Sequence, residues 1–238
     1  MKKILLGVIA LISVSAVSAQ KKKFNRDLIS RTGDHFMLQL TSDHWSGVPD
    51  SISGHLKSLS RGGNIYVMLD QRFKSSPQWS VAFGLGVGTS NMYFKRMSVD
   101  IKAKTNKLPF NNLDTLNFYK KYKLTTAFLE IPLELRFTAN PEKENKSIKA
   151  ALGVKVGTLI NVHTKGKTLQ DRDGRTVNSY TAKETGKGFF NATRLMATAR
   201  IGYGNFSLVG AYQFKNIFKD GVAADIKLFQ VGLCISGL

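Results

Sequence analysis

The fold class this sequence predicts is all-β: an eight-stranded antiparallel up-and-down barrel that crosses a membrane. Three observations predict it. In Trp79–Ser90 (WSVAFGLGVGTS), Trp79, Val81, Phe83, Leu85 and Val87 share one parity, while Ser80, Ala82, Gly84, Gly86 and Gly88 share the other. Successive side chains of a strand point to opposite faces, so one face is apolar and the other nearly bare. In 127–137, Ala127, Leu129, Ile131, Leu133, Leu135 and Phe137 oppose Phe128, Glu130, Pro132, Glu134 and Arg136. A small barrel immersed in lipid wants this arrangement, with apolar residues outward and small or polar ones inward. Third, the polar connections between such segments alternate in length, as short periplasmic turns and longer outer loops do.

Taken in order, the N-terminus MKKILLGVIALISVSAVSAQ reads as a secretory leader over residues 1–19. It has a basic start, a short apolar run and Val17-Ser18-Ala19 before the expected cleavage near Ala19. Residues 20–34 are polar and basic and read as a periplasmic tail, leaving 35–238 for the barrel. No later segment holds 18 consecutive apolar residues, so no helical span is expected there. The expected location is the outer membrane.

The strands are expected over His35–Asp43, Arg61–Phe73, Trp79–Phe94, Lys121–Ala139, Ile148–Ile160, Gly188–Tyr203, Phe206–Phe214 and Ala223–Ile235. Ser75-Ser76-Pro77, 140–147 and Gly204-Asn205 are the short turns. Long polar loops are expected over 44–60, 95–120 and 161–187, the last with a tip turn at Asp173-Gly174. The final strand carries two phases: Ile226 and Leu228 fit one, Phe229, Val231, Leu233 and Ile235 the other. A bulge between them is expected to reconcile the two.

The expected inward charges are Asp70, Glu130, Glu134, Arg136, Lys149, Lys155, Arg194 and Arg200, with Lys227 added if the last strand keeps that phase. Both signs facing a lumen only wide enough for side chains would pair and fill it, a polar core rather than an ion path. The most distinctive connection is Thr41–Asp50, which sets Asp43, His44, Trp45 and Ser46 near a barrel mouth, with His163 at the mouth end of the fifth strand. An acid, a base and a hydroxyl admit a lipid-A-modifying site if all three meet. The bland alternative is an ordered loop with Trp45 packed at the rim. A small-solute porin is a further alternative.

No metal site is expected, because His35, His44, His55 and His163 have no ligand spacing and Cys234 stands alone. No cofactor motif is present: the glycine-rich third strand lacks the Gly-Lys and following helix of a phosphate loop. The formal charge is +19, and losing Lys2 and Lys3 with the leader lowers it by two. In an exported chain, that charge points to outer-membrane lipids and lipopolysaccharide rather than nucleic acid.

Four segments carry a resemblance: HFMLQLTSDHWSGVPDSI, RGGNIYVMLDQRF, WSVAFGLGVGTSNMYF and FLEIPLELRF. With their spacing, the chain resembles the PorT-like outer-membrane β-barrel proteins of Bacteroidetes from about Phe36 onward. The resemblance implies an eight-stranded outer-membrane barrel and, through the family's namesake, a link to type IX secretion. It brings no catalytic residues. The expected function is a non-enzymatic anchor or interaction component of the envelope, with other envelope or secretion proteins as possible partners.

Overall fold

The computed structural model describes residues 36–237; the expected leader and tail over 1–19 and 20–34, with His35, lie outside them. Among the described residues eleven strands, one short α-helix and one 3-10 turn follow in chain order: β1 (Phe36–Ser46), α1 (Asp50–Ser53), β2 (Ser60–Arg72), β3 (Trp79–Phe94), β4 (Met97–Val99), β5 (Phe110–Asn112), β6 (Phe118–Thr138), the 3-10 turn (Glu144–Lys146), β7 (Ile148–Gln170), β8 (Thr176–Thr185), β9 (Thr193–Tyr203), β10 (Phe206–Gln213) and β11 (Lys227–Ser236). Eight of them close a ring, β1-β2-β3-β6-β7-β9-β10-β11, with β11 paired back to β1 and every pairing antiparallel. Closure leaves no open edge in the ring. Among the described residues, no helix is long and apolar enough to cross a membrane.

The two faces follow from alternation. Phe83, Leu85, Ile131, Leu133, Leu152 and Leu208 point outward, and Leu152 is 68% exposed. A continuous band of such residues encircles the ring, which water would not tolerate and lipid requires. Inward positions of β3 are Ser80, Ala82, Gly84, Gly86 and Gly88. Their smallness makes room for large neighbours. A Cβ on Gly86 would strike Tyr66, and one on Gly88 would strike the carboxylate of Glu130 and come within 2.9 Å of Arg194.

Several elements differ from the sequence reading; among them, β9 begins at Thr193 rather than Gly188, and the expected 95–120 loop carries the short β4–β5 hairpin. The first strand runs past Asp43 to Ser46, because Asp43 through Ser46 pair with Gln230 through Lys227 of β11. The last strand is a single phase with no bulge: its pairings to β1 and β10 run without a register shift. Leu228, Gln230 and Cys234 are buried while Phe229, Val231 and Leu233 are exposed, so Lys227 falls on the outward face and does not join the lumen charges. Ile226 and Leu228 are apolar yet inward because they meet a capped mouth, not a wet one.

The 161–187 loop is mostly strand. β7 continues to Gln170, turns over Gly174 at a positive φ, and returns as β8. β7 exchanges partners on the way, pairing β9 from Ile148 to Thr158 and β8 from His163. Between the two stretches Ala127 faces Asn161 and Phe128 faces Leu159, leaving Ile160 as the extra residue of a bulge. The bulge reverses which parity of β7 points outward. Below it Val154 and Val156 are exposed; above it Val162 and Thr164 are buried.

Candidate functional site

The lumen contains two charge clusters, one above the other. In the upper cluster Arg194 Nε donates to Glu130 Oε1 at 2.9 Å, and Arg194 Nη2 donates to the same oxygen. Tyr66 Oη donates to Glu130 Oε2, and Lys155 Nζ donates to Tyr66 Oη at 3.2 Å while lying 3.8 Å from Glu130 Oε2. In the lower cluster Glu134 Oε2 accepts from Arg136 Nε at 2.9 Å and Arg200 Nη2 at 3.0 Å. Arg200 Nη1 also donates to Ser236 Oγ at 3.0 Å. Asp70 faces the same lower end of the lumen as Arg136 and Arg200, and Lys149 lies 3.8 Å from Glu144 at the rim below. Charged groups this buried need partners, and these have them.

Glycine builds the upper cluster. Along one row of partners, Tyr66 faces Gly86, Gly86 faces Glu130, Glu130 faces Gly157 and Gly157 faces Arg194. Large and absent side chains alternate, so residues two strands apart meet over the glycine between them.

Above the clusters the mouth is apolar. Trp45 sits edge-on to Phe94 and Phe218, both at 5.8 Å, and Phe218 packs on Phe190 at 5.1 Å. Met97, Val99, Ile101 and Leu108 from the connection after β3, and Phe189 and Ile226 from later ones, complete this plug. The sequence reads 95–120 as a polar loop and puts Phe189-Phe190 and Ile226 inside barrel strands, but β9 begins only at Thr193 and β11 at Lys227, which leaves these residues to the plug. The signal was present in the short apolar groups Val99–Ile101, Phe189-Phe190 and Ile217-Phe218, which a solvated loop has no use for.

The Asp43, His44 and Ser46 set does not assemble. Strand alternation turns Asp43 into the lumen, where Thr41 Oγ1 and Gln230 Nε2 donate to its Oδ1 at 2.6 and 2.9 Å. His44 points outward and pairs with Ser42 Oγ at 3.0 Å, while Ser46 Oγ donates to the Lys227 carbonyl at 3.4 Å. Trp45 belongs to the plug. His163 also points outward, its Nδ1 2.9 Å from Asn161 Oδ1. Among the described residues no group of three or more His, Cys, Asp or Glu side chains is placed to hold a metal ion.

A second feature lies on the outer wall. Above the bulge, Tyr93 of β3 pairs with Lys123 of β6, Lys123 with Lys165 of β7, and Lys165 with Lys183 of β8. One step further up, Lys121 pairs with Lys167. Asn91 Oδ1 accepts from Lys123 Nζ at 2.6 Å. Burial, then Lys165 and Lys167, hold the Lys123 ammonium below its ordinary pKa. Burial, then Lys183, Lys123 and Lys165, do the same to the His163 imidazole. The sequence places Lys121 and Lys123 in a strand but Lys165, Lys167 and Lys183 in a solvated loop, because the β7–β8 hairpin is not foreseen.

Residues 30–221 match the family described as the outer membrane protein beta-barrel domain. No curated protein matches the chain. Among solved structures the chain is similar to Ail, the attachment invasion locus protein of Yersinia pestis. The identity is 14% and the TM-score 0.33, over 84% of this chain and 94% of that one. A structure of Ail in complex with the heparin analogue sucrose octasulfate is similar at 14% identity and a TM-score of 0.36, with the same coverage. The closed ring, the apolar outer band and a match over most of the length together place the chain in the outer membrane, as a member of the outer membrane protein beta-barrel domain family.

Proposed function

We propose that this barrel is a non-enzymatic anchor and interaction component of the cell envelope, working through its apical surface rather than its lumen. The filled lumen carries the reading. Charge clusters occupy the lower part, the aromatic plug occupies the mouth, and a cavity lined by Trp45, Ser90, Arg194 and Gln213 between them measures about 10 Å³. That is space for about one water. A porin needs a path that this packing does not leave, and a lipid-A-modifying site built on Asp43, His44 and Ser46 needs a contact that the strand geometry prevents.

The finer assignment is a part in protein export of the type IX kind, among envelope or secretion proteins. It is supported by the resemblance of the 35–52, 61–73, 79–94 and 128–137 segments to PorT-like proteins, and by the tall β7–β8 hairpin as an apical contact surface. A photo-crosslinking residue at Tyr180 of β8 should give discrete protein adducts in living cells. A strain lacking the chain should retain exported cargo in its periplasm. No adduct from Tyr180 would count against the apical role, and normal cargo export would count against the secretion role.

A further inference from the structure

We propose that the lysine rows on the outer wall bind the phosphorylated core sugars of lipopolysaccharide in the outer leaflet. The wall carries two shallow hollows that meet at Tyr93 and Lys121. One, of about 210 Å³, is lined by Tyr93, Lys121, Lys123, Lys165 and Lys167. The other, of about 510 Å³, adds Lys57, Arg61 and Lys95 beside Leu56 and Leu59. No carboxylate lines either hollow. Among the described residues none of these cations forms an ion pair with a carboxylate, and Glu184 of β8 lies at the opposite parity, paired with Thr164.

Like charges directly opposite one another weaken a sheet. Here Lys123, Lys165 and Lys183 stand side by side in one row, with Lys121 beside Lys167 in the next. The Ile160 bulge contributes to this arrangement. Without it the inward parity of Lys155 and Gly157 would continue upward, and Lys165 and Lys167 would face the plug. The fold therefore turns this charge outward, where an anion can offset the repulsion that, after burial, lowers the Lys123 and His163 pKa values.

Position selects the anion. The wall continues the face that below it meets lipid, from Leu129 through Ala127 and Thr125 to Lys123. Six residues at ~3.3 Å each on a strand tilted by ~40° put Lys123 roughly 15 Å above Leu129. The polar zone of a phospholipid leaflet is only about 5–7 Å deep. The lysines thus stand above phospholipid headgroups and at the level of the saccharide layer, where Tyr93 offers a ring to a sugar face and the lysines offer point charges to phosphate. This site is independent of any protein met by the apical surface, so either reading can fail alone.

The test titrates folded, detergent-solubilised full-length chain with rough lipopolysaccharide, intact and after its phosphates are removed. The wall variant Lys123→Gln/Lys165→Gln/Lys167→Gln is compared with a charge-matched control, Lys102→Gln/Lys104→Gln/Lys107→Gln, on the connection after β3. Intact lipopolysaccharide should bind the wall variant at least ten-fold more weakly than wild type and the control within two-fold. Removing phosphate should abolish the difference, and millimolar inorganic phosphate should not displace the lipid. In the wild-type chain, His163 should titrate at higher pH once lipopolysaccharide is bound, a readout that needs no variant. Equal weakening in both variants, no weakening in the wall variant, an unmoved His163, or displacement by inorganic phosphate would each overturn the proposal.

Discussion

Glu130 of β6 and Arg194 of β9 meet inside the barrel across Gly157 of β7, the residue that faces both of them in the sheet. Glu130 is also the shared partner of Tyr66 and Lys155. Removing it leaves two buried cations facing each other. Glu130→Ala should therefore cost about 3–5 kcal/mol, the usual loss for breaking a buried pair. Arg194→Met should cost less, because Glu130 keeps Lys155 and Tyr66. Urea unfolding in micelles orders the two variants; an Arg194→Met loss larger than that of Glu130→Ala would refute the shared-acceptor role.

Space is the second constraint on that row. Gly157→Leu and Gly86→Leu should block assembly, since a side chain at 157 enters the gap between Glu130 and Phe128 and one at 86 strikes Tyr66. Gly210→Leu on the lipid face meets nothing within 4 Å and should fold normally. Heat-modifiable mobility on gels separates the outcomes. Normal mobility of both lumen variants would reverse the assignment of faces.

The outer band makes its own prediction. Leu133 is 48% exposed amid apolar neighbours on the lipid side. Leu133→Arg should cost roughly 2–4 kcal/mol in a bilayer, as an arginine near the midplane of a barrel wall does. Val177→Arg, exposed on β8 above the band, should cost little. Equal effects in vesicle-folded protein would contradict the height assigned to the band.

His163 gives a pH dependence with a definite sign. Its imidazole is held below the ordinary value by burial and by Lys183, Lys123 and Lys165. The unfolded chain therefore takes up this proton at a higher pH than the folded one. Stability should be unaffected above about pH 7 and should fall as pH drops through the ordinary imidazole range near 6.5. It should level off below the folded value. His163→Gln should flatten that portion of the curve; an unchanged pH profile would show that neither burial nor the lysines depress the His163 imidazole.

Most of the barrel was legible because a two-residue period is a local signal. Glu130, Glu134 and Arg136 against Leu129, Leu133 and Leu135 fix a strand, its faces and its charged interior without any knowledge of neighbours. The pairings Glu130–Arg194 and Glu134–Arg200 were not legible, because register between strands is set across the sheet. The Asp43–Ser46 reading failed for a related reason. Gly47 and Pro49 signalled a loop, but β11 supplies strand partners up to Ser46, and alternation then parts Asp43 from His44. The plug and the lysine wall were hidden in segments whose average composition is polar. Their few apolar residues meet over the mouth, and one bulged residue, Ile160, decides where Lys165 and Lys167 point.

A filled lumen is tested most directly by planar-bilayer conductance of the purified chain, with folding established beforehand by heat-modifiable mobility. The packing of Glu130, Arg194, Glu134 and Arg200 beneath the Trp45, Phe94 and Phe218 plug predicts insertion without resolvable conductance steps. Reproducible, stable steps from the folded barrel would contradict it.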